Sequence, residues 1–238
     1  MNNEHIVRSF DQELEQLKGL ILQMGGLAEN QLAAAIDAIS KNDYEGLMEI
    51  AAKDSAIDKI EDEINALAIQ MIAKRQPMAT DLRMIVCSIK TAGDIERVGD
   101  YIRNICKRSQ HVTDANNMIE ARHTIARMAE AVMEMIRNIL TAYTSLDVEL
   151  AMDVWRRDAS VDDMHSSLFR ELLTYMMESP RTITECTHLL FIAKNIERMG
   201  DLVTNIAEHI YLIVNGVTLE APRPKGENSA DAGMVEPL

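Results

Sequence analysis

The sequence predicts an all-α protein built as an internal tandem repeat: two homologous antiparallel three-helix bundles, six long helices in all. Three observations predict it. The segment DIERVGDYIRNI (Asp94 to Ile105) returns as NIERMGDLVTNI (Asn195 to Ile206), 101 residues on, and KDSAID (Lys53 to Asp58) returns as RDASVD (Arg157 to Asp162), 104 residues on. Helix breakers are scarce, with 10 Gly and 5 Pro in 238 residues, while Ala, Leu, Ile and 16 Met abound. Apolar residues recur at alternating three- and four-residue steps, the spacing of a helix that buries one stripe.

The first helix is expected over about 5–40, with Leu14, Leu17, Ile21, Met24, Ala28, Ala35 and Ile39 on its stripe. KNDYE interrupts the pattern, and Asn42 or Asp43 can cap the next helix. That second helix, about 43–75, carries Leu47, Ile50, Ile57, Ile64, Ala68 and Met71. Pro77 restarts the chain as a first-turn proline, and the third helix, about 78–109, runs through Ile85, Ala92, Ile95, Gly99, Ile102 and Cys106. The second half repeats the plan at about 114–145, 147–178 and 181–215, with Leu189, Ala193, Ile196, Gly200, Val203, Ala207 and Ile210 as its clearest seam. The two repeat offsets differ by three because MIAKRQPMATDLR in the first half faces the shorter MMESPRTITE in the second, a change of loop length. The expected organisation is a first bundle over 1–110, a second over 114–216, and a polar tail over 217–238, Pro- and Gly-containing and expected to be disordered.

A net charge of −14 argues against nucleic acid as a partner, because phosphate backbones need a clustered cationic surface. Cys87, Cys106 and Cys186 are scattered and lack CxxC spacing, so they read as buried thiols in a reducing compartment. The N-terminal stretch has no basic region leading into an apolar run, and no stretch of about 18 apolar residues is present to span a bilayer. A cytoplasmic protein is expected.

The chemistry points to paired acids. Glu96 and Asp100 stand four apart, as do Glu197 and Asp201, so each pair shares a helix face beside the seam. The second helix of each half adds Asp54 with Asp58, and Asp158 with Asp162; Asp54 and Asp158 fall on the seam itself. Four convergent carboxylates cannot stay ionised in a core without cations, and oxygen donors without thiolates suit a hard or borderline divalent ion, or a cluster of iron. Fe, Zn, Mn and Mg all remain open. The alternative is a set of solvated helix faces with ion pairs to Arg97 or Arg103; matched pairs on two helices of both halves weigh against it. Gly99 and Gly200 interrupt helices at a cost of about 1 kcal/mol each, as expected where a neighbouring helix comes close. Glu61 and His165 occupy equivalent positions one heptad after Asp54 and Asp158, and Asn104 and Asn205 lie one turn after the aspartates; these four are candidate extra ligands.

RQPMATDLR (Arg75 to Arg83), DIERVGDYIRNI and NIERMGDLVTNIAEHI resemble the PhoU family of phosphate-uptake regulators, and the resemblance runs from about Phe10 to Gly216. It implies two three-helix bundles, each with a multinuclear metal site: Asp54, Asp58, Glu96 and Asp100 in the first, Asp158, Asp162, Glu197 and Asp201 in the second. It also implies a negative regulator of the phosphate-starvation response. Such a protein would be a homodimer that couples a phosphate ABC transporter, through its ATPase subunit, to a sensor histidine kinase at the inner face of the membrane. The second half lacks the RQPMATDLR loop and has His165 at an acidic position, so the two sites are expected to differ.

Two other functions compete. A carboxylate-bridged di-iron oxidase of ferritin-like type needs two Glu-x-x-His motifs, and Glu120 with His123 and Glu185 with His188 have that spacing, though not at matching repeat positions. A metal-free helical adaptor is the other. No nucleophile–base pair, phosphate-cradling loop or dinucleotide fingerprint is present, so a non-enzyme is expected, reaching the membrane only through protein partners.

Overall fold

The computed structural model describes residues 2–41, 43–53, 55–112, 118–223 and 226. The helices are α1 (Asn2–Lys41), α2 (Tyr44–Ala52), α3 (Ser55–Arg75), α4 (Ala79–Ser109), α5 (Ile119–Ser145), α6 (Val148–Glu178) and α7 (Ile183–Asn215), with a 3-10 turn at Pro180–Thr182. There is no strand among the described residues. The chain is all-α and internally duplicated, as the repeats predict.

Local chemistry sets the ends. The Asp43 carboxylate accepts from the Gly46 N–H at 3.0 Å and starts α2, while Asn42 lies outside the described residues. Leu146, at φ 53°, turns α5 off, and Asp147 caps α6 by accepting from the Leu150 N–H at 3.0 Å. This two-residue connection makes α5 and α6 an antiparallel hairpin. Gly216, at φ 76°, ends α7 in the left-handed conformation that glycine adopts without strain.

Two expectations are corrected. Pro77 is not in a first turn: it comes after Gln76, which closes α3 at φ 49°, and α4 begins only at Ala79. The second helix is not continuous over 43–75 either. It breaks at Lys53, where the ladder tightens to a Lys53 N–H to Ile50 carbonyl bond of 3.0 Å. The Lys53 carbonyl accepts there from the Ala56 N–H at 3.0 Å and also from Gln31, buried on α1, at 3.3 Å. At the 104-residue offset Gln31 becomes Met135, which offers no such donor, and α6 runs unbroken.

The two halves share one continuous apolar core. Helix α4 of the first half lies antiparallel along α7 of the second, and α1 meets α5. The α4–α7 seam is marked along its length by Arg83 donating to the Ile213 carbonyl at 3.2 Å, Asn205 donating to Asp94 at 3.3 Å, and His111 stacked on His188. Carboxylates near the middle of α4 and α7 therefore sit close to the junction between the halves.

Candidate metal centres

The second-half cluster is the more completely described. Asp158 projects from the buried face of α6 between Val154 and Val161 and is only 1% exposed. Its Oδ1 packs against Gly200 of α7 so closely that a Cβ there would overlap it. The expectation that this glycine permits a close approach thus has a specific contact behind it. Neither oxygen of Asp158 has a hydrogen-bond partner among the described residues. Burial first, then the neighbouring charges of Asp162, Asp201 and Glu197, push its carboxyl up to about 7, against the opposing pull of Arg223.

The other three carboxylates are distributed among donors. Burial also raises Asp162, opposed by the Gly226 N–H at 3.4 Å from its Oδ2. Glu197, raised by burial, takes Lys194 at 2.6 Å on Oε1, while its Oε2 is buried without a partner. Asp201 is paired with Arg223 at 2.8 Å. His165 lies half-buried near Lys194; burial and then that charge hold its ring below the usual histidine range. In this arrangement no three His, Cys, Asp or Glu side chains among the described residues are gathered as a ready ligand set. The cluster nevertheless fits a divalent cation: its donors are hard oxygens, and three of them are buried and unsatisfied, at an energetic cost that a cation would remove.

In the first half Asp54 lies outside the described residues, and Asp58 is exposed. Asp100 pairs with Arg103, three residues on, at 2.5 Å. Glu61 and Glu96 both line an open groove between α3, α4 and α7, with Lys90, Asp94, Arg97, Asn205 and His209. Burial, then Asp62 and Asp58, raise the Glu61 carboxyl. Asn205 turns toward this junction, bonded to Asp94 and accepting from Arg223 at 2.6 Å, rather than toward Asp158. Asn104, its counterpart, is half-buried on α4.

Three residues here escape sequence reasoning. Asp94 is nine-tenths buried, and burial pushes its carboxyl up to about 6, moderated by Asn205, Arg97 and Arg223. His209, 3.7 Å from Asp94, is driven down to about 4 by burial and then by Lys90. Arg223 lies in the stretch expected to be disordered. Within that stretch Leu219 packs on the core, and Arg223 and Gly226 lie across the second cluster. Residues 224–225 and 227–238 lie outside the described residues.

The Glu-x-x-His pairs do not form a site. His123 is exposed on the outside of α5, and His188 is stacked on His111 at 4.8 Å. No helix among the described residues is long and apolar enough to cross a membrane.

Comparison with known proteins agrees with the duplication. The PhoU domain family matches twice, at residues 21–109 and 125–210. The chain is 45% identical over 222 residues to a phosphate-specific transport system accessory protein PhoU homolog of Caulobacter vibrioides, covering 93% of this chain and 96% of the relative. A homolog of the same description from Rhizobium meliloti is 43% identical over 235 residues, covering 99% of each. The crystal structure of PhoU from Pseudomonas aeruginosa superimposes with a TM-score of 0.83 at 32% identity, over 87% of this chain and all of that one. A Streptococcus pneumoniae structure, the phosphate transport system regulatory protein PhoU, shares the fold at TM-score 0.83 and 24% identity, over 89% of this chain and all of that one.

Proposed function

The chain belongs to the PhoU family, and on that premise we propose that it is a negative regulator of the phosphate-starvation response, a metal-binding adaptor between a phosphate ABC transporter and a sensor histidine kinase. At the coarser level it is a PhoU accessory protein of a phosphate-specific transport system, and its relatives carry accessory and regulatory names. The observation that carries the regulatory reading is the relationship to such accessory proteins along nearly the whole chain. On this reading the protein is a homodimer rather than an enzyme. It works in the cytoplasm and reaches the membrane through the transporter's ATPase subunit and the kinase, since a net charge of −14 opposes adsorption to anionic lipid.

The metal-binding part rests on Asp158. A carboxylate buried with both oxygens unsatisfied, beside three further acids, is a place where a cation stabilises the fold. Asp158, Asp162, Glu197 and Asp201 would hold it in the second half, with His165 as a softer donor; Asp58, Glu61, Glu96 and Asp100 would serve in the first, together with Asp54. The bound ion would supply fixed positive charge, neutralising the acids and fixing α3 to α4 and α6 to α7. Iron, zinc, manganese and magnesium all suit these donors.

Two experiments test the reading. Deleting the gene is expected to derepress phosphate-starvation genes in phosphate-rich medium; full repression in the deletion strain would refute the regulatory assignment. Purified protein is expected to bind vesicles carrying the transporter and not naked anionic vesicles; equal binding to both would refute the partner-dependent route.

A further inference from the structure

The two halves neutralise their motif aspartates differently. In the first, Arg103 sits three residues after Asp100 on the same helix and pairs with it at 2.5 Å. At the 101-residue offset its place is taken by Thr204, which is buried and donates to the Asp201 carbonyl at 2.7 Å. The arginine that reaches Asp201 comes instead from beyond the end of α7. Arg223 stands 2.8 Å from Asp201 Oδ1, donates to Asn205 Oδ1 at 2.6 Å, and lies 3.9 Å from Glu208. Three residues on, the Gly226 N–H points at Asp162 on α6. A Cβ on Gly226 would meet Asp163 Oδ1 at 2.5 Å and the Ala159 carbonyl at 3.0 Å, so the seat suits a glycine. Arg223 and Gly226 thus reach both helices of the second cluster and place a guanidinium and a backbone donor on two of its four carboxylates.

Building on the reading of this cluster as a cation site, we propose that Arg223 and Gly226 form a self-supplied occupant of the second cluster that competes with the metal, so that cation binding unseats these two residues. A guanidinium on Asp201 repels a divalent ion held by the same carboxylates, and each seated species weakens the other. In the first cluster the arginine on Asp100 is fixed on its own helix, and no such coupling is present among the described residues. The second site is therefore the one whose occupancy changes what the protein presents to a partner.

The chain carries its own reporter. Trp155 is its one tryptophan, is buried, and donates to Glu208 at 3.2 Å, next to Arg223. The experiment uses the full chain with the first cluster disabled by Glu96→Gln and Asp100→Asn, a fluorophore at the C-terminus, and Mn²⁺ as probe. Without metal, Arg223→Gln and Gly226→Ala are expected to shift Trp155 emission and lower the label's anisotropy. Adding Mn²⁺ to the chain with Arg223 and Gly226 intact is expected to produce the same changes. Mn²⁺ is expected to bind about tenfold more tightly to both variants, as loss of one charge-assisted competitor implies. Gly226→Ala leaves the charge unaltered, so a gain there separates unseating from simple removal of a cation. Equal Mn²⁺ affinity in all three proteins would overturn the competition while leaving the metal reading intact. Mn²⁺ binding by none of them would sink the metal reading and the competition together. A label as mobile in the metal-free chain with Arg223 intact as in Arg223→Gln would refute the seating itself.

Discussion

Replacing Asp158 by Asn should stabilise the metal-free protein at neutral pH, although it removes a residue assigned to the site. The Asp158 carboxyl moves from an ordinary 3.8 to about 7 on folding. The native state therefore holds its proton more tightly than the unfolded state. Between these two values the native chain binds more protons, so stability is greatest below about pH 4 and falls as pH rises toward 7, then levels off. At ~1.4 kcal/mol per pH unit the interval corresponds to about 4 kcal/mol, and relaxation around the charge reduces it to roughly 2–4 kcal/mol. Asparagine keeps the shape, carries no charge, and can donate to the neighbouring carboxylates. Urea unfolding of chelator-treated protein at pH 5 and pH 8, monitored by circular dichroism, measures the difference. His209 is lowered and so contributes stability that rises with pH through its own range, while Asp94, Asp162 and Glu197 are raised and act in the same direction as Asp158. His209 and Asp94 act alike in both proteins and cancel in the comparison, while Asp162 and Glu197, whose charges repel Asp158, add to the gain when its charge is removed. Parallel pH dependences for the two proteins, or a less stable Asp158→Asn at pH 8, would refute the reasoning.

The same geometry sets three further outcomes. Glu96→Ala with Asp100→Ala should leave the protein folded and remove metal from the first half alone; elemental analysis with an unchanged metal-to-protein ratio would count against the assignment. Gly200→Ala gains about 1 kcal/mol of helix propensity but drives a methyl into Asp158, so thermal unfolding should show a net loss of about 1–2 kcal/mol that disappears in an Asp158→Ala background. Metal binding near pH 7 should release protons, because Asp158 is partly protonated before the ion arrives; calorimetry in buffers of different ionisation enthalpy would show no buffer dependence if this is wrong.

Much of the fold was legible because duplication writes the same pattern twice, and helix periodicity is a local signal. What was illegible depends on distant residues. The break at Lys53 lies beside a contact from Gln31 of α1, and nothing in the sequence of α2 and α3 announces that a side chain 22 residues away will join the Ala56 N–H on the Lys53 carbonyl. Asp158 with Asp162, and Glu197 with Asp201, are legible because they recur in both halves, whereas Asp94 does not recur. Its counterpart is Asn195, and its burial arises where α4 meets α7, a contact between halves that no single repeat encodes. Arg223 was missed for a different reason. Composition measures whether a segment can bury apolar surface, and this segment scores poorly; it is held instead by Leu219 and by charge already waiting on the bundle.

The asymmetry of the halves is chiefly one of charge. Once a gene is duplicated, two acidic clusters start equal, and several differences between them alter how charge is balanced. In the second half Lys194 stands where the first has Gly93, His165 where it has Glu61, Thr204 where it has Arg103, and Met135 where it has Gln31. The first cluster keeps an acid at Glu61, meets its arginine on its own helix, and lies beside an open groove. The second exchanges an acid for a neutral ring, acquires a lysine at 2.6 Å from Glu197, and draws its arginine from the C-terminal segment. The lysine and the neutral ring lower the net negative charge around Asp158 and so weaken the pull on a cation, while the burial of Asp158 raises the cost of having none. A site with weakened attraction and a competing internal cation releases its metal more readily than its twin. The two clusters of one chain should therefore fill in order, the first before the second, and the second filling is coupled to Arg223 and Gly226.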